Sequence, residues 1–166
     1  MLVLGIDPGT ATTGYGLVRE TERGELALVE YGVILTPAGM AQEERLLMLY
    51  ARLLEIILLH RPDCGAVEKL FFQKNVKTAL SVGQARGVVL LTMVEADMAI
   101  YEYTPMEVKQ AVVGYGGADK NQVQQMVRAL LDLNEIPKPD DAADALAIAI
   151  CHIHSNRVRS LIEKSG

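Results

Sequence analysis

The sequence predicts an α/β fold in which a mixed sheet is flanked by helices. Apolar patterning alternates between short strand-like runs and longer helical ones, in the order βββαβαβααα. The first three runs are joined by turn-length segments, the spacing of antiparallel hairpin neighbours, while the later ones are separated by helical stretches. At 166 residues the chain is expected to be one domain, 1–166, long enough to bury about 70% of its unfolded surface without staples.

Each element follows from local signals. Residues 2–7 are predicted as a buried strand, because Leu2-Val3-Leu4-Gly5-Ile6 is apolar throughout, and Asp7-Pro8-Gly9 as a tight turn. Gly14-Tyr15-Gly16-Leu17-Val18 begins a second strand, and after the polar turn from Glu20 to Glu25 a third covers Leu26 to Leu35. Thr36-Pro37-Ala38-Gly39 interrupts the pattern. Helical spacing then runs from about Met40 to His60 and stops at Arg61-Pro62, where proline cannot continue a helix. Residues 64–68 form a fourth strand, 69–77 a basic loop, and about 78–97 a helix. Ala99 to Tyr103 is a fifth strand, and Pro105 opens a short helix at the turn where proline is tolerated. Gly114-Tyr115-Gly116-Gly117 is a turn, followed by helices from about Asp119 to Leu133 and from about Pro139 to Arg159. There is no internal repeat and no linker.

The N-terminus has no basic region and meets Asp7 at once, so no signal peptide is expected. The most apolar stretch, Leu46 to Leu59, contains Arg52 and Glu55 and is shorter than a membrane span. Cys64 and Cys151 form no CxxC pair and lie in apolar runs, which suggests free core thiols in a reducing cytoplasm. The net charge of −5 argues against a nucleic-acid partner, but the distribution of that charge points the other way. Residues 1–68 carry a net −5, residues 69–128 a net +2, and residues 69–94 hold Lys69, Lys74, Lys77 and Arg86 with no acid at all. Steering depends on the local field over a face. A solvated charged loop would show the same run.

Four carboxylates carry the chemistry. Asp7 closes the first strand, Glu68 closes the fourth, and Asp141 and Asp144 open DDAADALAIAI. Acids at two strand ends and one helix start can converge on one spot. Like charges that close repel unless cations sit between them, and carboxylate oxygens are the ligands Mg²⁺ and Mn²⁺ prefer. Each acid also has a plainer explanation. Asp-Pro-Gly often simply caps a turn, and a similar turn serves phosphate binding in actin-like ATPases. An acid after buried residues is often emerging into solvent. Acids in a helix's first turn are favoured by its dipole. Three acids in five residues exceed that last need. Asp141 and Asp144 share one helical face, while Asp140 is turned away and suits capping. His152 and His154 lie two or more turns further on, too far to join as ligands.

Leu70-Phe71-Phe72 holds the only two phenylalanines, beside the basic loop. Consecutive residues rarely both point inward, so one is expected in the core and the other among Lys69, Lys74 and Lys77, where it could stack on an unpaired base. Lys109 and Lys120 are compatible with ordinary solvated helix lysines or with a place near the acids.

With these residues assembled, the chain resembles the RuvC family of Holliday junction resolvases along almost its whole length. The resemblance rests on GIDPGT with TGYG, the strand ending in Glu68, KNVKTALSVGQARG, PMEVKQAVVGYG, ADKNQVQQMVRALL and DDAADALAIAI. It implies a ribonuclease-H-like fold, a five-stranded mixed sheet of order 3-2-1-4-5 with strand 2 antiparallel. It also implies a homodimer that cuts four-way DNA junctions with two Mg²⁺ ions, Mn²⁺ substituting, and a RuvA–RuvB branch-migration complex as partner. Asp7, Glu68, Asp141 and Asp144 match the family's catalytic, metal-binding carboxylates. Phe71 matches the aromatic that contacts junction bases, and Lys109 and Lys120 match basic positions near the site. Phe72, Lys74, Lys77 and Arg86 complete the expected DNA contacts.

Rival readings make different demands. A nuclease of RNA–DNA hybrids would share the carboxylates without needing Phe71 or a dimer. An actin-like ATPase needs two such domains, for which the chain is too short. A non-catalytic junction-binding module would not require four convergent acids. For a dimer, the helix at 78–97 offers Ala79, Gly83 and Gly87 at every fourth residue beside Leu80, Leu91 and Val94. Each helical glycine costs about 1 kcal/mol relative to alanine, so the pair needs a packing reason. That strip could face a partner or the chain's own sheet.

Overall fold

The computed structural model describes residues 1–69 and 76–164, with the side chains of Val76, Lys77 and Lys164 excepted. Phe71, Phe72 and Lys74 lie outside the described residues, as does the Lys77 side chain.

Five strands form one sheet: β1 (Leu2–Asp7), β2 (Thr12–Glu20), β3 (Leu26–Leu35), β4 (Cys64–Glu68) and β5 (Ala99–Tyr103). Their order is β3-β2-β1-β4-β5, with β2 antiparallel to β1 and β3, and β4 parallel to β1 and β5. The helices are α1 (Gln42–His60), α2 (Val76–Glu95), α3 (Pro105–Val113), α4 (Lys120–Leu130) and α5 (Asp140–Lys164). Among the described residues no helix is long and apolar enough to cross a membrane.

Strand alternation divides the core into two layers. Val3, Val18, Cys64 and Ala66 pack against α3, α4 and the apolar run Leu146 to Ile153 of α5. Leu2, Leu4, Ile6, Leu17 and Val67 pack on the opposite face against Leu49, Leu53 and Ile57 of α1 and Ala85, Val89 and Met93 of α2. Burying β1 on both faces explains why it is apolar without alternation.

The expected elements all form, with shifted ends. Strand β2 extends to Thr12–Glu20 because it pairs on both sides. Helix α2 already includes Val76 and Lys77, which the sequence placed in the basic loop. Helix α4 stops at Leu130, where Leu131 caps it and Asp132 turns to φ 51°. Helix α5 continues to Lys164, because nothing between Arg159 and Lys164 is a glycine or proline. Arg61 ends α1 in the left-handed conformation, immediately before Pro62. Cys64 and Cys151 are buried free thiols, pushed by burial to about 11 and about 12 respectively.

Candidate active site

Strand register makes Asp7 and Glu68 neighbours. Ile6 pairs with Val67 across the parallel β1–β4 ladder, so the next residue on each strand is an acid at the carboxyl edge of the sheet. Helix α5 brings the other two. It crosses β1 and β2 with no side chain between the backbones: a Cβ on Gly14 would collide with the Asp141 carbonyl oxygen, and one on Gly5 with that of Ala145. Ala142, Ala145 and Ala149 are fully buried in this contact. Small residues on both sides thus set the first turn of α5 over the end of β1, opposite Gly14, the β2 partner of Asp7.

Electrostatics register the convergence. Asp7 is pushed up to about 8, first by burial and then by the charges of Glu68, Asp144 and Asp141. Burial also raises Glu68, with Asp144 adding to it and Lys120 and Lys109 opposing. Burial raises Asp144 as well, against the pull of Lys120. Among the described residues, no three His, Cys, Asp or Glu side chains are positioned to grip an ion together. The acids share a field rather than a ready coordination sphere. Mutual repulsion is one physical reason, and Lys120 is another: its Nζ donates to Asp144 Oδ2 at 2.9 Å and lies 3.3 Å from Asp140 Oδ2. A half-buried all-oxygen set with more negative charge than its surroundings balance fits a hard divalent cation.

Next to the acids is a cavity of about 180 Å³ lined by Glu68, Lys109, Lys120 and Asp144, with Pro105, Val108 and Val123 on its apolar walls. Lys109 and Lys120 therefore share one site with two of the carboxylates. Arg86, expected among the DNA-facing cations, is differently employed. Its guanidinium is ion-paired with Glu102 and donates through Nε to the Glu68 carbonyl oxygen at 3.4 Å, with 19% of the side chain exposed. It ties the end of β4 to β5 and so steadies Glu68. Asp140 does not cap α5: it lies inside the first turn, and the neighbouring Gln124 and Lys120 lower its pKa. The two histidines belong to the core side of α5. His152 shares a buried 2.8 Å hydrogen bond with the Tyr103 hydroxyl, and His154 Nδ1 lies 2.9 Å from the Ala111 carbonyl oxygen. Sequence reasoning missed the Lys120–Asp140 and Arg86–Glu102 pairs, which no local spacing signals.

A mixed sheet of this order, with acids gathered at its carboxyl edge, defines the class: a ribonuclease-H-like fold with an acidic site. Comparison with known proteins narrows it. Residues 3–152 match the family described as "Crossover junction endodeoxyribonuclease RuvC". A relative so named from Chloroflexus aggregans is 62% identical over 155 residues, covering 93% of this chain and 94% of that protein. The Thermus thermophilus RuvC structure superposes with a TM-score of 0.89 at 41% identity, covering 95% of this chain and 96% of that one. T. thermophilus RuvC in complex with a Holliday junction substrate gives 0.87 at 39% identity, with the same coverage. The chain belongs to the RuvC family of crossover junction endodeoxyribonucleases. Its activity is the family's, resolution of Holliday junctions by endonucleolytic cutting of DNA.

Proposed function

We propose that Asp7, Glu68, Asp141 and Asp144 are the catalytic carboxylates and together hold two Mg²⁺ ions, with Mn²⁺ able to substitute. The observation that carries this is Asp7: an acid with its pKa pushed up to about 8 by burial and three other carboxylates needs a cation to stay charged at neutral pH. When bound, the metal pair supplies an activated water and a charge to stabilise the departing 3′ oxygen. The chain's own residues do the rest. Asp7, at the end of the central strand β1, lies between the acid on β4 and those on α5 and orients both halves of the site. Arg86 fixes the backbone of Glu68. Lys120 and Lys109, lining the same cavity, draw the scissile phosphate in and offset charge that develops on it. The products are 5′-phosphate and 3′-hydroxyl ends.

The substrate in this reading is four-way junction DNA, as in the T. thermophilus complex. Phe71 wedges against bases at the junction, and Phe72, Lys74 and Lys77 are further DNA contacts. The 166 residues act as one nuclease domain and pair as a homodimer, because a two-fold junction needs two opposed nicks. On α2, Leu80, Leu91 and Val94 are 61–65% exposed and a Cβ on Gly87 would meet nothing within 4 Å, while Ala85, Val89 and Met93 face the sheet. This outward apolar strip supports a second copy as its cover. The RuvA–RuvB branch-migration complex would deliver the junction. A labelled four-way junction, a linear duplex and an RNA–DNA hybrid, each with and without Mg²⁺, test the reading. Paired symmetric nicks confined to the junction and requiring Mg²⁺ are expected. Equal cutting of the hybrid would overturn it.

A further inference from the structure

The glycine-rich turn between α3 and α4 is built around an exposed aromatic ring. Gly114 caps α3 with φ 83°, a conformation that favours glycine. The next two glycines are needed for space. A Cβ on Gly116 would come within 2.9 Å of Met106 Cγ, and one on Gly117 within 2.6 Å of Cζ and Oη of Tyr115. The turn therefore doubles back along α3 as far as Met106, whose neighbour Pro105 lines the cavity beside Glu68 and Asp144. The Tyr115 ring rests against the Gly117 backbone yet is 64% exposed, and Met106 beside the turn is 67% exposed.

The two cations of the cavity, Lys109 on α3 and Lys120 on α4, flank the turn. The acids of the two flanking caps are engaged with backbone: Glu107 accepts from the Thr104 amide and Asp119 from the Gln122 amide, each in a capping box, while Lys120 is paired with Asp144 and Asp140 of the acidic site. A tyrosine destined for the core would not be left with most of its surface in water. A ring held on one side by backbone and open on the other is a preformed stacking surface, and stacking is indifferent to base identity.

We propose that Tyr115 is a stacking platform for an unpaired base of the DNA strand entering the active site, next to the phosphate that is cut. This rests on the reading that the four carboxylates form the cutting site. It adds a second aromatic contact, on the α3–α4 side of the cavity, that secures the strand after the junction opens.

The test uses full-length protein and a four-way junction whose cut positions have been mapped, with 2-aminopurine placed at each nucleotide flanking a cut. In Ca²⁺, with the junction held uncut, native protein should quench the probe at one flanking position. Tyr115→Phe should retain that quenching, and Tyr115→Ala and Tyr115→Leu should lose it. Cutting in Mg²⁺ should fall roughly five- to 150-fold in the Ala and Leu variants and stay near native in Phe, given the usual contribution of one stacked base. Leu preserves apolar bulk at the turn, so its failure with an unchanged melting temperature separates stacking from folding. Quenching or cutting that survives in the Leu variant would overturn the proposal. A native chain that cuts no junction in Mg²⁺ would refute the underlying site reading instead.

Discussion

Replacing Asp7 by asparagine should stabilise the metal-free protein, and the gain should grow with pH. In the fold this carboxyl is raised from 3.8 to about 8, chiefly by burial and then by Glu68, Asp144 and Asp141. An acid raised on folding favours the protonated native state. Its ionisation therefore costs stability progressively as pH climbs from 3.8 to about 8, and no further above that. At about 1.4 kcal/mol per tenfold change in proton affinity, the full cost is about 6 kcal/mol, of which about 4 kcal/mol falls above pH 5. Asparagine cannot ionise and escapes it. Urea unfolding in EDTA at pH 5 and pH 9 should show the advantage of Asp7→Asn over the native chain widening by about 4 kcal/mol. Millimolar Mg²⁺ at pH 9 should restore the native protein and close most of that gap. An advantage that stays constant or shrinks with pH would refute this reasoning, because the site would then carry no uncompensated charge.

The amide variants Asp7→Asn, Glu68→Gln, Asp141→Asn and Asp144→Asn should each abolish junction cutting while keeping junction binding in gel-shift assays; near-native cutting by any one would remove that residue from the site. Gly14→Ala should destabilise the protein by about 1–3 kcal/mol, the usual range for overpacking, because its methyl group would strike the Asp141 carbonyl. Cutting should fall further than stability, since the α5 acids move with that backbone; an unaltered melting temperature would show that α5 does not press on β2. Leu80→Glu, at a position 65% exposed, should shift the protein from dimer to monomer in sedimentation without unfolding it, leaving single nicks in place of paired ones. A native chain that sediments as a monomer at micromolar concentration, yet makes paired cuts, would contradict the dimer.

Much of the architecture was legible because it is written in local patterns. The two-sided burial of β1 shows as an unbroken apolar run, and the acids at its end and at the end of β4 stand out against that run. The shared face of Asp141 and Asp144 follows from helical geometry alone. What could not be read depends on long-range contact. Gly5 and Gly14 looked like ordinary strand glycines, yet they are small because α5 lies directly on them. Arg86 looked like a free cation in an acid-free run, and its partner Glu102 is on β5. Asp140 looked like a cap until Lys120 was placed beside it by the packing of α4 on α5. The outward direction of Leu80, Gly87 and Leu91 likewise needed the sheet, because the spacing alone allowed either face.

If acids from β1, β4 and α5 form a single metal site, Mn²⁺ anomalous diffraction from crystals of the protein with an uncleavable four-way junction will locate it. Two anomalous peaks are expected within coordination distance of Asp7, shared with Glu68 on one side and with Asp141 and Asp144 on the other, with Lys120 drawn off Asp144. Peaks that leave Asp7 or Glu68 outside the coordination sphere, or none at this edge of the sheet, would contradict a single shared site.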